Sequence, residues 1–378
     1  MQLVRTSCRF TRWTVACLAL LAASFAAAAA SAPRLVGYVG AEADPARIEA
    51  KRLSAAIFAF AEIRDGRVVL DAKHEQAFAR LRDSLRERSP DIKLLISVGG
   101  WGADGFSDAA LTDASRQQFA RSALALLLKE HADGLDVDWE YPGHHESGIV
   151  SRDADREDFT ALVSTLRSTF DRASAQDGNA PRHLLLTAAL ADGQYVDHVQ
   201  LAAVARQLDW INLMTYDFNN SLTLTTGNHA GLFRSAASHD PHDSNADGAV
   251  RQLLAAGVPA GKIVIGAAFY ARAFGEVRDR DHGLYQPYGK YLTTYNWPQL
   301  VAGYIDRNGY KRYWDAQAQA PYLWNAHTHT FISYEDPQSL RAKTRYVEAH
   351  HLGGVMYWEQ SLDPDNKLFD ALAGALGR

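Results

Sequence analysis

Three acids stand at alternate positions in the segment Asp133-Gly-Leu-Asp136-Val-Asp138-Trp-Glu140-Tyr141-Pro142. Side chains along a β-strand alternate between two faces, so Asp136, Asp138 and Glu140 share one face and Leu135, Val137 and Trp139 the other. Same-face neighbours lie about 6.8 Å apart along the strand, near enough for long side chains to share protons. Three carboxyl groups buried in a row cannot all ionise, so at least one pKa must rise. Glu140, the longest and the last of the three, is the natural group to hold a proton and act as general acid. Asp138, one step deeper, can bridge between Asp136 and Glu140 or turn to orient a substrate group. The D-x-D spacing also occurs in calcium loops, but Leu, Val and Trp at the intervening positions mark a buried strand instead.

Such a strand needs a scaffold. The chain has 378 residues, 47% apolar and 22% charged, which is the balance of a folded globular protein. Short apolar, β-branched or aromatic runs recur at 34–39, 55–60, 93–98, 134–140, 184–190, 210–215, 262–268 and 353–358. Amphipathic helical patterns lie between them, for example at 75–88, 116–130, 156–173 and 339–350. In the third, Phe159, Leu162, Val163, Leu166 and Phe170 fall on one helical face. Eight strands separated by helices predict an α/β fold, a (β/α)8 TIM barrel, with its site at the C-terminal ends of the strands. An open doubly wound sheet would carry a glycine-rich dinucleotide turn after an early strand, and none is present. The interval 275–335 breaks the rhythm and is dense in aromatics, from Tyr285 and Trp297 to Tyr322 and Trp324. It reads as a small α+β insertion between strands seven and eight that walls a cleft, leaving 33–274 and 336–378 for the barrel.

Residues 1–32 read as a secretory signal: Arg5, Arg9 and Arg12 precede an uncharged run that ends in Ala28-Ala29-Ala30-Ser31-Ala32. Cleavage near 30–32 would yield a secreted protein, extracellular or periplasmic. Both cysteines, Cys8 and Cys17, would leave with the signal, and with them any disulfide framework. The net charge is −5. The signal carries three arginines and no acid, so the remainder is more acidic still. Without a basic cluster, nucleic acid and anionic membrane are poor partners. His144-His145 with Glu146, and His350-His351, lack the i, i+4 spacing of a zinc pair, so no metal is expected.

The segment Asp133-x-x-Asp136-x-Asp138-x-Glu140 resembles the catalytic signature of glycoside hydrolase family 18, the chitinases. Ser97-Val98-Gly99-Gly100-Trp101 resembles that family's third-strand signature, and Met214-Thr215-Tyr216-Asp217 its sixth-strand motif. Phe269-Tyr270-Ala271-Arg272 resembles its seventh-strand motif, with Ala271 in place of the usual glycine. The run from Phe331 to Pro337 and on to Gly353–Trp358 resembles its approach to strand eight. These motifs follow in the family's order across nearly the whole chain after the signal.

The resemblance implies a secreted chitinase acting within chitin or N-acetylglucosamine oligosaccharides, with no cofactor, and expected as a monomer. It implies substrate-assisted hydrolysis with retention, in which Glu140 is acid and then base, Asp138 accepts the acetamido N–H, and Tyr216 holds the acetamido oxygen. Asp136 and Asp217 complete the catalytic set. Trp358 is the expected floor beneath the reacting sugar, with Trp101 and Tyr141 on the leaving-group side. Arg272 is placed to meet substrate hydroxyls, Met214 and Tyr270 to line the site, and Tyr38 and Phe60 to pack beneath the acids. Two alternatives stay open: an endo-β-N-acetylglucosaminidase acting on glycoprotein glycans or bacterial wall, and a non-catalytic chitin-binding lectin.

Overall fold

Eight parallel strands supply the frame: β1 (Arg34–Gly40), β2 (Ala55–Arg64), β3 (Lys93–Gly99), β4 (Gly134–Asp138), β5 (Leu185–Leu190), β6 (Trp210–Leu213), β7 (Ile263–Ala268) and β8 (Gly354–Trp358). Each pairs with its neighbours in sequence, and β1 pairs with both β2 and β8, which closes the ring. The result is a (β/α)8 barrel. The computed structural model describes residues 32–176, 182–241 and 243–378. All but the last residue of the expected signal, Cys8 and Cys17 included, lies outside the described residues. No described helix is long and apolar enough to cross a membrane.

The connections carry α1 (Ala72–Arg88), α2 (Asp113–Lys129), α3 (Asp155–Gln176), α4 (Leu201–Gln207), α5 (Ala246–Ala255) and α6 (Pro337–Ala349), and α7 (Lys367–Ala375) follows β8. Side-chain oxygens cap several of these helices: Asp71 accepts from the amide of His74, and Thr112 with Ser115 forms a capping box. The β1–β2 connection departs from the pattern. It holds two 3-10 turns, Pro45–Arg47 and Ala50–Arg52, and covers the barrel there with Ile48, Ala50 and Leu53.

Strand parity sorts the core into two layers. Leu35 and Val39 of β1 pack outward with Phe78, Leu81 and Leu85 of α1, whereas Val36 and Tyr38 face the lumen beside Ile57, Leu95 and Met356. In β4 and just past its end, Leu135, Val137 and Trp139 join the outer layer, leaving Asp136 and Asp138 for the lumen. The ladder stops at Asp138, two residues short of the expected strand end. Its neighbour turns away there: Gly99 and Gly100 have φ of 117° and 93°, and the amide of Gly100 makes the last link to the carbonyl of Asp138 at 2.9 Å. A Cβ on Gly99 would lie 2.0 Å from that carbonyl, so only glycine lets the two chains come together before they part.

Between β7 and β8 a second sheet of five antiparallel strands is inserted. Its order is Lys290–Asn296, Tyr270–Gly275, Thr330–Ser333, Ala320–Asn325 and Lys311–Asp315. One face packs Ala271, Ala273, Leu323, Ile332 and Tyr334 against Leu300 of the short helix Trp297–Gly303. The other packs Phe274, Tyr322, Trp324 and Phe331. Ala271 is fully buried in the first cluster, so its methyl group contributes to packing at the place where a glycine was the motif's usual choice.

Candidate active site

Asp136 lies deepest. Its Oδ2 accepts from Tyr38 Oη at 2.9 Å and Ser97 Oγ at 2.8 Å, and its Oδ1 from Thr187 Oγ1 at 2.5 Å and Asn212 Nδ2 at 3.1 Å. Four strands thus converge on one fully buried carboxyl group. Burial raises its pKa, while the four hydrogen bonds pull in the opposite direction.

Asp138, two residues nearer the rim, is buried but its Oδ1 has no hydrogen-bond partner. A buried acceptor without a partner is costly, and Asp138 is among the residues that line the cavity. Burial, then the charges of Glu140 and Asp136, hold its pKa well above the usual carboxylate value. Glu140 follows β4 at the cavity floor. Burial, opposed by the Tyr141 hydroxyl and reinforced by the charge of Asp217, raises its pKa to about 7. Such a carboxyl group keeps its proton in mildly acidic solution and can still lose it, as an acid that must later act as a base requires.

Tyr216 and Asp217 follow the end of β6, two strands round the barrel from β4. The Tyr216 ring lies 6.1 Å from that of Tyr270, and burial with the surrounding acids keeps its hydroxyl protonated. Asp217 adopts a left-handed backbone, φ 61°, and its Oδ1 receives Arg272 Nε and Nη2, each at 2.7 Å. Burial opposes ionisation of Asp217, but the adjoining His229 ring and Arg272 guanidinium together hold its pKa below the usual value. Arg272 also donates through Nη1 to Tyr291 Oη at 3.0 Å, so much of its donor capacity is spent inside the protein.

The cavity above these groups has a volume of about 1140 Å³. That exceeds the 300–1,000 Å³ common for small-ligand sites. Trp358 forms part of its floor, stacked on Phe60 with centroids 5.5 Å apart and tilted against Tyr38. Trp101 stands at the rim, 55% exposed, edge-on to Tyr141 at 6.1 Å. Met214 and Tyr270 also line the wall. Of the residues singled out in the sequence, Asp136 alone lies beneath the cavity and not on its surface.

Sequence reasoning passed over several neighbours. Thr187 and Asn212 reach Asp136 from inward positions of β5 and β6, where strand parity alone placed them. The Tyr195 ring lies tilted against Tyr141, centroids 4.5 Å apart, on a 3-10 turn, Gly193–Val196, that carries no periodic signal. His229 is fully buried with its Nδ1 3.7 Å from Asp217, brought there by a loop.

Comparison with known proteins fits this geometry. Residues 34–363 match Glycosyl hydrolases family 18. Chitinase A1 of Niallia circulans is 39% identical over 78% of this chain and 44% of its own length. Chitotriosidase-1 of Mus musculus is 34% identical over 81% of this chain and 66% of its own. This chain therefore spans only part of both relatives. The structure of a family 18 N-acetylglucosaminidase from Paenibacillus barengoltzii superposes with a TM-score of 0.84 at 40% identity, covering 91% of this chain and 99% of that one. With the signature acids converging inside a barrel of this kind, the chain belongs to glycosyl hydrolases family 18.

Proposed function

We propose that the protein is a secreted chitinase that hydrolyses β-1,4 bonds between N-acetylglucosamine units with retention, using the substrate's own acetamido group as nucleophile. The supporting observation is the pairing of Asp138, with a free buried oxygen, and Glu140, protonated up to about pH 7. Glu140 gives its proton to the glycosidic oxygen as the bond to the anomeric carbon breaks. The acetamido carbonyl oxygen attacks that carbon, and the ring so formed is an oxazolinium ion. Asp138 accepts the acetamido N–H through its free oxygen and offsets the positive charge. Tyr216 donates its hydroxyl to the acetamido oxygen and keeps it in line. Glu140, now ionised, takes a proton from water, which opens the ring from the face opposite the acetamido group, the face the leaving group had occupied. Because the nucleophile is tethered to the substrate, little positional entropy remains to be lost.

The reading is tested with N-acetylglucosamine oligomers of defined length, separating products by size and following the first anomer by NMR. Retention gives the β-anomer first; an early α-anomer refutes it. The relation to the Paenibacillus N-acetylglucosaminidase favours a second reading of the same chemistry, removal of single sugars from a chain end. Monosaccharide as the sole early product from a hexamer selects that reading, and a spread of dimer to tetramer selects internal cutting. Turnover of N-glycans with none of the oligomers would replace both.

A further inference from the structure

The β6–β7 ladder ends at the pair Leu213–Ile265, yet Tyr216 lies three residues further on. Backbone pairing has stopped there, and side chains take its place. Thr215 Oγ1 accepts from the Gly266 amide and donates to the Gly266 carbonyl, both at 2.8 Å. Lys343 enters from α6 behind this corner. Its Nζ lies 2.9 Å from the carbonyl of Gly266, 3.4 Å from that of Thr215 and 2.7 Å from Glu335 Oε1. Glu335 Oε1 also accepts the amide of Ala268 at 3.0 Å, and Oε2 accepts Ser339 Oγ at 3.2 Å. The two charged side chains are each 1% exposed.

A buried ion pair stabilises little more than apolar side chains of the same volume. Apolar side chains cannot, however, hold two carbonyls and an amide from separate segments at fixed separations. The corner is tight: a Cβ on Gly266 would lie 2.6 Å from the Tyr216 ring. A small shift of β7 or of Thr215 is therefore transmitted to that ring, and misplacement of a reacting group by about 1 Å can cost about a hundredfold in rate.

We propose that Lys343 and Glu335 form a positioning pair that fixes the Thr215–Gly266 corner and thereby aims the Tyr216 hydroxyl at the substrate. The inference rests on the function proposed for Tyr216 above. Neither member of the pair touches substrate.

The test is a cycle on kcat with N-acetylglucosamine oligomers, using Tyr216→Phe and the joint replacement Lys343→Met with Glu335→Gln. The joint replacement avoids stranding one buried charge, which is the change expected to threaten folding. Tyr216→Phe alone should lower kcat about a hundredfold, the loss typical of one donor to a developing charge. The joint variant should lower kcat about tenfold with KM changed less than about threefold, and the Tyr216→Phe penalty should shrink by up to that same factor of about ten in its background. An undiminished penalty means the two act independently and overturns the pair's role while leaving the function of Tyr216 intact. Full activity in Tyr216→Phe overturns the proposed function of Tyr216, and the pair's role with it. Should the joint variant not fold, Lys343→Gln with Glu335→Gln, which strands no charge and keeps an acceptor for the Ala268 amide, is put through the same cycle. A shrunken Tyr216→Phe penalty in that background supports the pair's role, and an undiminished one overturns it.

Discussion

Arg272 grips Asp217 by a single carboxylate oxygen, Nε and Nη2 both 2.7 Å from Oδ1. The negative charge of Asp217 is thereby kept in place beside Glu140, whose pKa it helps to raise. Asp217→Asn should remove that charge and leave the Arg272 cation less compensated. Both changes favour ionised Glu140, so the basic limb of the kcat/KM profile should move to lower pH. An unmoved or upward-moving limb would mean that Asp217 does not set the acidity of the acid catalyst.

Glu140 itself predicts a pH dependence of both rate and stability. The general acid must be protonated, so kcat/KM should fall as pH rises through about 7. The folded pKa lies above the ordinary glutamate value of 4.5, so folding favours the protonated form and stability should decline between pH 4.5 and about 7, then level off. Glu140→Gln cannot ionise. It should cut kcat by about 10³-fold, within the range for loss of a proton-transfer group. It should also retain oligomer binding by calorimetry and flatten the fall in Tm across that window. A Tm profile as steep as the parent's would place the titration on another group.

The sequence carried the barrel because alternation leaves an unambiguous trace: Asp136 and Asp138 could share a face only if Leu135, Val137 and Trp139 were buried on the other. It also carried residues at strand ends, such as Trp358 and Tyr216, which a barrel delivers to one rim. It did not carry the end of β4, because the departure of the chain at Gly99–Gly100 depends on a neighbouring strand. Nor did it carry Tyr195 or His229. Both reach the site on loops, where contact is set by the path of the chain and no period survives to announce it. The β1–β2 connection lacks a helix for a related reason, since its short span closes as two 3-10 turns.

Trp139 marks the opposite face of the acid strand. It is 2% exposed, stacked on Phe106 at 5.3 Å and edge-on to Phe159 at 5.8 Å. Trp139→Ala should destabilise the protein by about 3–5 kcal/mol, the usual cost of deleting a large buried aromatic side chain. Urea unfolding followed by circular dichroism measures it. A loss below about 1 kcal/mol would show the outer layer to be less closely packed at this point.

Trp101 is the counter-case, an aromatic side chain that packing does not require. It is 55% exposed and touches Tyr141 edge-on, which in turn lies tilted against Tyr195. The three rings adjoin one another on the cavity lining, and flat apolar faces of this kind suit the faces of sugar rings. Trp101→Ala should therefore leave Tm nearly unchanged. It should lower kcat/KM about tenfold for oligomers long enough to reach it, the equivalent of roughly 1.4 kcal/mol of lost contact. For the shortest cleavable oligomer the loss should be smaller, because it places fewer sugars along this wall. The measurement is kcat/KM against chain length for parent and variant. An equal loss at every length would show that Trp101 acts through Tyr141 and the acid, and not through contact with the distal sugars.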